Sequence, residues 1–119
     1  MNAAILKTLS AARSPHPNEL DRRRIARGLK ARKRYRYVEP SVEDVEGGYR
    51  IASPCCSRNI DAEGGIIDVA LLLFESEGRT WRLFWKNHRS GNWELHSVHI
   101  RLDSVLDQLN IDEERTFWQ

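Results

Sequence analysis

The sequence predicts an α+β domain: an antiparallel meander sheet of four to five strands flanked by a basic N-terminal helix and a C-terminal amphipathic helix. Three observations carry that prediction. Alternating apolar residues recur in short runs between Ile66 and Leu95, separated by polar turns. Leu102, Val105, Leu106 and Leu109 fall at i, i+3, i+4 and i+7, one face of a helix that should pack on the sheet. An arginine-rich run after Asn18 carries a few apolar residues at helical spacing. With 119 residues the chain has the length of one domain, 1–119.

The elements follow in chain order. Residues 1–13 could make a short helix, which Ser14-Pro15-His16-Pro17 must interrupt, because each proline disfavours helix in the residue before it. Residues 1–17 are therefore expected as a loosely attached segment. Asn18 then caps a helix expected over 19–34, with Asp21 adding first-turn negative charge. Its apolar stripe of Leu20, Ile25, Ala26 and Leu29 is narrow. The remaining surface is Arg22, Arg23, Arg24, Arg27, Lys30, Arg32, Lys33 and Arg34.

Tyr35, Tyr37 and Val38 alternate with Arg36 and Glu39 in strand fashion until Pro40, and Glu43, Asp44 and Glu46 form an acidic linker or short strand ending at Gly47-Gly48. Tyr49, Ile51 and Ser53 share one face of a strand that Pro54 stops. The strongest strand is 66–75, apolar on both faces apart from Asp68, which suggests a central position covered on both sides. After a turn at Ser76-Glu77-Gly78, residues 80–86 place Trp81, Leu83 and Trp85 on one face and Arg82, Phe84 and Lys86 on the other. A second hairpin loop, 87–92, leads to a strand with Trp93 and Leu95 on one face. Trp93 could stand opposite Trp81 and Trp85 across the hairpin. Phe117 and Trp118 close the chain and must dock to leave water.

Composition bounds the function. The chain is 40% hydrophobic and 30% charged, close to globular averages. No stretch approaches the ~20 apolar residues of a membrane span, and no signal peptide is evident, so a cytoplasmic protein is expected. Cys55 and Cys56 are adjacent, with Cα atoms ~3.8 Å apart, closer than the ~4.4–6.8 Å of ordinary disulfides, which agrees with a reducing compartment. The net charge of +2 conceals a division: residues 1–37 carry +9 and residues 38–119 carry −7. A basic arm on an acidic body pairs internally, pairs between subunits, or is offered to a polyanion.

Two candidate sites emerge. The basic helix, with Tyr35 and Tyr37 able to stack on bases, fits phosphate neutralisation by nucleic-acid binders; equally, it could lie on an acidic body. The 55–61 loop gathers Cys56, Arg58, Asn59 and Asp61, in which Arg58 could stabilise a Cys56 thiolate while Asn59 and Asp61 orient a small ligand. The same residues also suit a structural loop with a buried cysteine. No metal site and no cofactor are expected: His96 and His99 differ by an odd number and should point to opposite faces of a strand, and no C-x-x-C or H-x-x-x-H spacing exists. A Gly-rich phosphate loop and a G-x-S-x-G element are likewise missing.

Ile67-Asp68-Val69-Ala70, Trp81-Arg82-Leu83-Phe84-Trp85, Asn92-Trp93, the Leu-rich helix and the closing Asp112 with Phe117-Trp118 resemble a family of short bacterial proteins catalogued as domain of unknown function 3024. The resemblance covers about the last half of the chain and implies no activity. A fainter similarity ties Trp81-Arg82-Leu83 and Ile100-Arg101-Leu102-Asp103 to the WYL domains of bacterial transcription regulators. The chain departs from those domains at Glu94-Leu95-His96-Ser97, where they place an arginine-aromatic-arginine element.

The sequence thus leads first to a non-enzymatic binding module that uses its basic helix against nucleic acid or an acidic protein. A small enzyme or ligand sensor built on the 55–61 loop is the alternative, and self-assembly of basic arm on acidic body, as a homodimer, is a third.

Overall fold

The computed structural model describes residues 14–35, 38–54 and 65–119. Helix α1 spans Glu19–Gly28 and tightens into a 3₁₀ turn, Leu29–Ala31. Strands β1 (Ser41–Val45), β2 (Gly48–Pro54), β3 (Ile66–Glu75), β4 (Thr80–Asn87) and β5 (Asn92–His99) precede helix α2, Leu102–Ile111. The five strands form one sheet in the order β1-β2-β3-β4-β5, every neighbouring pair antiparallel. This is the expected meander at the upper end of its strand count.

Tyr49 pairs with Leu72 and Leu72 with Leu83, so these three share a face. Both helices press on that face. Ile25 and Leu29 from the N-terminal side, and Leu102, Val105, Leu106 and Leu109 of α2, join Tyr49, Ile51, Leu72 and Leu83 in a single buried cluster. The i, i+3, i+4, i+7 stripe of α2 is therefore its buried face, as its spacing predicts. Phe117 and Trp118 complete the core. The Asp112 carboxylate docks them, accepting from the backbone N–H groups of Thr116 (2.9 Å), Phe117 (3.2 Å) and Trp118 (2.8 Å). Asp112 itself sits at φ +37°, ending α2 in the left-handed conformation that asparagine and aspartate tolerate.

Asn18 caps α1 as expected, its side-chain oxygen accepting from Asp21 N–H at 2.8 Å. Residues 14–17 before it are anchored by His16, whose ring packs against Trp81 (4.5 Å between centroids) and Phe74 (4.8 Å), while residues 1–13 of the expected loose segment lie outside the described residues. His16 Nδ1 lies 2.9 Å from the Tyr49 hydroxyl.

Four expectations need correction. The first helix stops well short of residue 34, because contacts with α2 outcompete helix propagation. A Cβ on Gly28 would lie 2.8 Å from Leu106 Cδ1, so the chain crosses α2 at close range. Lys33 N–H then donates to the Asn110 carbonyl (3.0 Å), and Asn110 Nδ2 donates to the Gly28 carbonyl (3.0 Å). Tyr35 is not in a strand; its φ is +53°. Trp93 does not join Trp81 and Trp85. The β4–β5 register opposes Trp93 to Lys86, on the far side of the sheet, where the Lys86 ammonium stands 4.9 Å from the indole centroid. β3 is central, yet the described helices cover only one of its faces; Leu71 and Leu73 on the other are half-exposed among the described residues.

Candidate functional site

The arginine-rich segment divides into three groups once folded. Arg22 reaches Asp44 of β1 at 3.4 Å, Arg23 pairs with Glu19 at 2.7 Å and Arg24 reaches Asp103 of α2 at 2.5 Å. Arg34 donates to the carbonyls of Asp112 (3.3 Å) and Glu113 (3.2 Å). The contacts of Arg22, Arg24 and Arg34 tie the helix to the body, whereas the Arg23–Glu19 pair lies within the helix itself.

Two residues expected on the binding face belong elsewhere. Arg32 is 4% exposed; its guanidinium donates to the carbonyls of Leu29 (2.8 Å), Tyr35 (2.8 Å) and Val38, and lies 5.2 Å from the Trp118 ring centroid. It caps the 3₁₀ turn from beneath and gathers the chain that follows. Tyr35 is partly buried against the core, and its hydroxyl donates to the Gln119 carbonyl at 3.0 Å. Tyr37 and the whole 55–61 set, Cys56, Arg58, Asn59 and Asp61 included, lie outside the described residues.

Arg27, Lys30 and Lys33 remain, all exposed and without an ion pair among the described residues. Arg23, Arg27 and Lys30 stand at i, i+4 and i+7, a stripe about 10 Å long at the helical rise of ~1.5 Å per residue. Beside that stripe, between α1 and the chain leading to β1, runs a groove of about 660 Å³ floored by Ala26, Val38 and Pro40. Glu39 is the one carboxylate among the described residues that line it. Like charges at i and i+3 or i+4 cost a few tenths of a kcal/mol each, and among the described residues no ion pair of these three offsets that cost.

A second groove lies where the sequence gives no sign of one. About 540 Å³ in volume, it lies between β5 and α2 and includes His96, His99, Asp107, Gln108 and Glu113 in its lining. His96 and His99 do not diverge. The β4–β5 register slips between Leu83 and Phe84, so that Leu83 opposes Ser97 and Phe84 opposes Leu95, leaving His96 as the extra residue of a bulge. Both imidazoles then reach Ser97 Oγ, His96 Nδ1 at 2.8 Å and His99 Nε2 at 2.7 Å. Burial, with His96 as a second cause, lowers the pKa of His99. Ser97 Oγ is thus held between two imidazoles, and among the described residues no group of three His, Cys, Asp or Glu side chains stands together here. No pattern in the sequence marks the bulge.

Among the described residues no helix is long and apolar enough to cross a membrane. No curated protein and no solved structure matches the chain. A family model does: the domain of unknown function DUF3024 matches residues 13–119, extending the resemblance of the C-terminal half back across α1 and the first two strands. The chain belongs to the DUF3024 family.

Proposed function

We propose that this domain is a non-enzymatic binding module of the bacterial cytoplasm that holds a polyanion, single-stranded nucleic acid in the first place, along the groove beside α1. The observation that carries this reading is that Arg27, Lys30 and Lys33 have no ion pair among the described residues, whereas their neighbours Arg22, Arg24 and Arg34 find partners. The backbone phosphates of a single strand would lie along the ~10 Å stripe, while the apolar floor gives bases or sugars a contact. An acidic protein segment would use the same cations.

Salt dependence tests the reading quantitatively. Three to four phosphate contacts on a single strand give a slope of log K against log salt of about −2 to −3, a loss of roughly 10²–10³ in affinity per tenfold rise in salt. Fluorescence anisotropy with a labelled oligothymidylate reads this directly, and Lys30→Gln should flatten the slope by about 0.7. Binding without salt dependence, or a Lys30→Gln variant indistinguishable from the parent, would defeat the proposal. Equal binding of polyglutamate would assign the groove to acidic protein.

A further inference from the structure

The sheet has a second face, and it is apolar at its centre. Alternation and register place Leu71, Leu73, Phe84, Trp93, Leu95 and Val98 on the side away from the helices. One row, Glu43–Arg50–Leu71–Phe84–Leu95, crosses all five strands. None of the described helices covers it. Leu95 is 53% exposed and Val98 54%, while Leu71, Leu73, Phe84 and Trp93 are half-exposed.

The charges around this patch are arranged differently from those on α1. Arg50 bridges Glu43 (2.5 Å) and Asp68 (2.5 Å), Lys86 pairs with the other Asp68 oxygen at 3.1 Å, and Arg82 pairs with Glu75 at 2.7 Å. Three cations thus face three carboxylates, and the rim is neutral. A polyanion gains nothing from such a rim. A second copy of the same surface meets no net repulsion, and a two-fold axis can set the cations of one copy against the carboxylates of the other.

Area points the same way. Five strands at ~4.8 Å spacing and about six residues at ~3.3 Å give a face of about 480 Å², so two copies bury about 1,000 Å², the lower bound for a specific interface. We infer that the exposed sheet face is an isologous dimer interface, at which two copies pack sheet against sheet through Phe84, Leu95 and Val98. This inference does not depend on the polyanion reading, since the basic groove lies on the other side of the sheet.

Sedimentation velocity of the full chain from about 5 to about 500 µM tests it, at ~0.1 M and ~1 M NaCl. The expected result is a concentration-dependent rise from 13.8 kDa towards twice that mass, undiminished at the higher salt. Leu95→Arg, at an exposed position, should shift the midpoint at least tenfold towards monomer, while Lys30→Gln leaves it unmoved; an unchanged urea midpoint shows that Leu95→Arg still folds. A monomer at every concentration overturns the inference. So does a dimer that dissolves in high salt or ignores Leu95→Arg, which would mean basic arm on acidic body. If a monomer becomes a dimer only when residues 1–13 are removed, the face belongs to that segment and the inference also fails.

Discussion

Arg32→Met separates a structural arginine from the binding arginines around it. The substitution keeps most of the aliphatic stem and removes the guanidinium, so the carbonyls of Leu29, Tyr35 and Val38 lose their donor and Trp118 loses the cation 5.2 Å from its ring centroid. Hydrogen bonds from a charged donor contribute ~1.5–3 kcal/mol each, and a buried cation–π contact ~1–2. Taken at face value that is about 5 kcal/mol or more. Methionine refills the volume, and the Tyr35 and Val38 carbonyls lie where water can reach, which brings the expected loss to about 3 kcal/mol. Against the ~5–15 kcal/mol of an ordinary domain that is severe but survivable. In urea, with a slope of ~1–3 kcal/mol/M, the midpoint should fall by about 1–3 M, while the salt slope for oligonucleotide binding to the folded variant stays where it was. A midpoint shift under ~0.5 M, accompanied by a flatter salt slope, would show that Arg32 serves the groove and not the fold.

Two further outcomes follow from buried groups. Burial lowers the pKa of His16, Asp21 at 3.7 Å pulling less strongly the other way, and burial likewise lowers those of His88 and His99. The unfolded chain therefore binds more protons, so stability is complete above the ordinary histidine value near 6.5 and declines as pH falls below it. Urea midpoints measured from about pH 8 down to about pH 5 should show this decline, and His16→Phe should shallow it; a flat profile in the parent protein would contradict the burial of these rings. Asp112→Ala removes the acceptor of the Thr116, Phe117 and Trp118 N–H groups and should cost about 3 kcal/mol with loss of near-ultraviolet circular dichroism from Trp118. An unaltered aromatic spectrum would mean that Phe117 and Trp118 dock without it.

What could be read from the sequence was what a local pattern encodes. The alternation of Trp81, Leu83 and Trp85, the stripe of α2 and the Asn18 cap each depend on a few neighbouring residues, and each is found as expected. The misreadings depend on contacts between distant parts of the chain. Residues 29–34 have helical character, but Asn110, 82 positions beyond Gly28, bonds the helix end and turns it away. His96 and His99 were separated by a parity argument that assumes an unbroken ladder, and the bulge opposite Leu83 and Phe84 breaks it. The basic residues of α1 were legible as a group, whereas their partition into anchors and free cations rests on where Asp44, Asp103 and the Trp118 ring come to lie. Apolar residues on both faces of β3, with Phe84, Trp93 and Leu95, were the sequence signals of the second sheet surface.

The sheet keeps two kinds of surface apart, and that separation constrains how they could work together. Both helices lie on one face, so two copies joined through the other would carry their basic grooves outward, on opposite sides of a four-layer sandwich. With layers ~10 Å apart the two α1 axes would stand about 30 Å from each other. A short oligonucleotide filling one stripe of about 10 Å could not reach the second, so it would bind each copy independently. A long strand could wrap from one groove to the other and gain affinity from the linkage without any new contact. The dimer would then bring separated stretches of one polyanion together, a role for which a neutral apolar face between the copies and a basic stripe outside are both required.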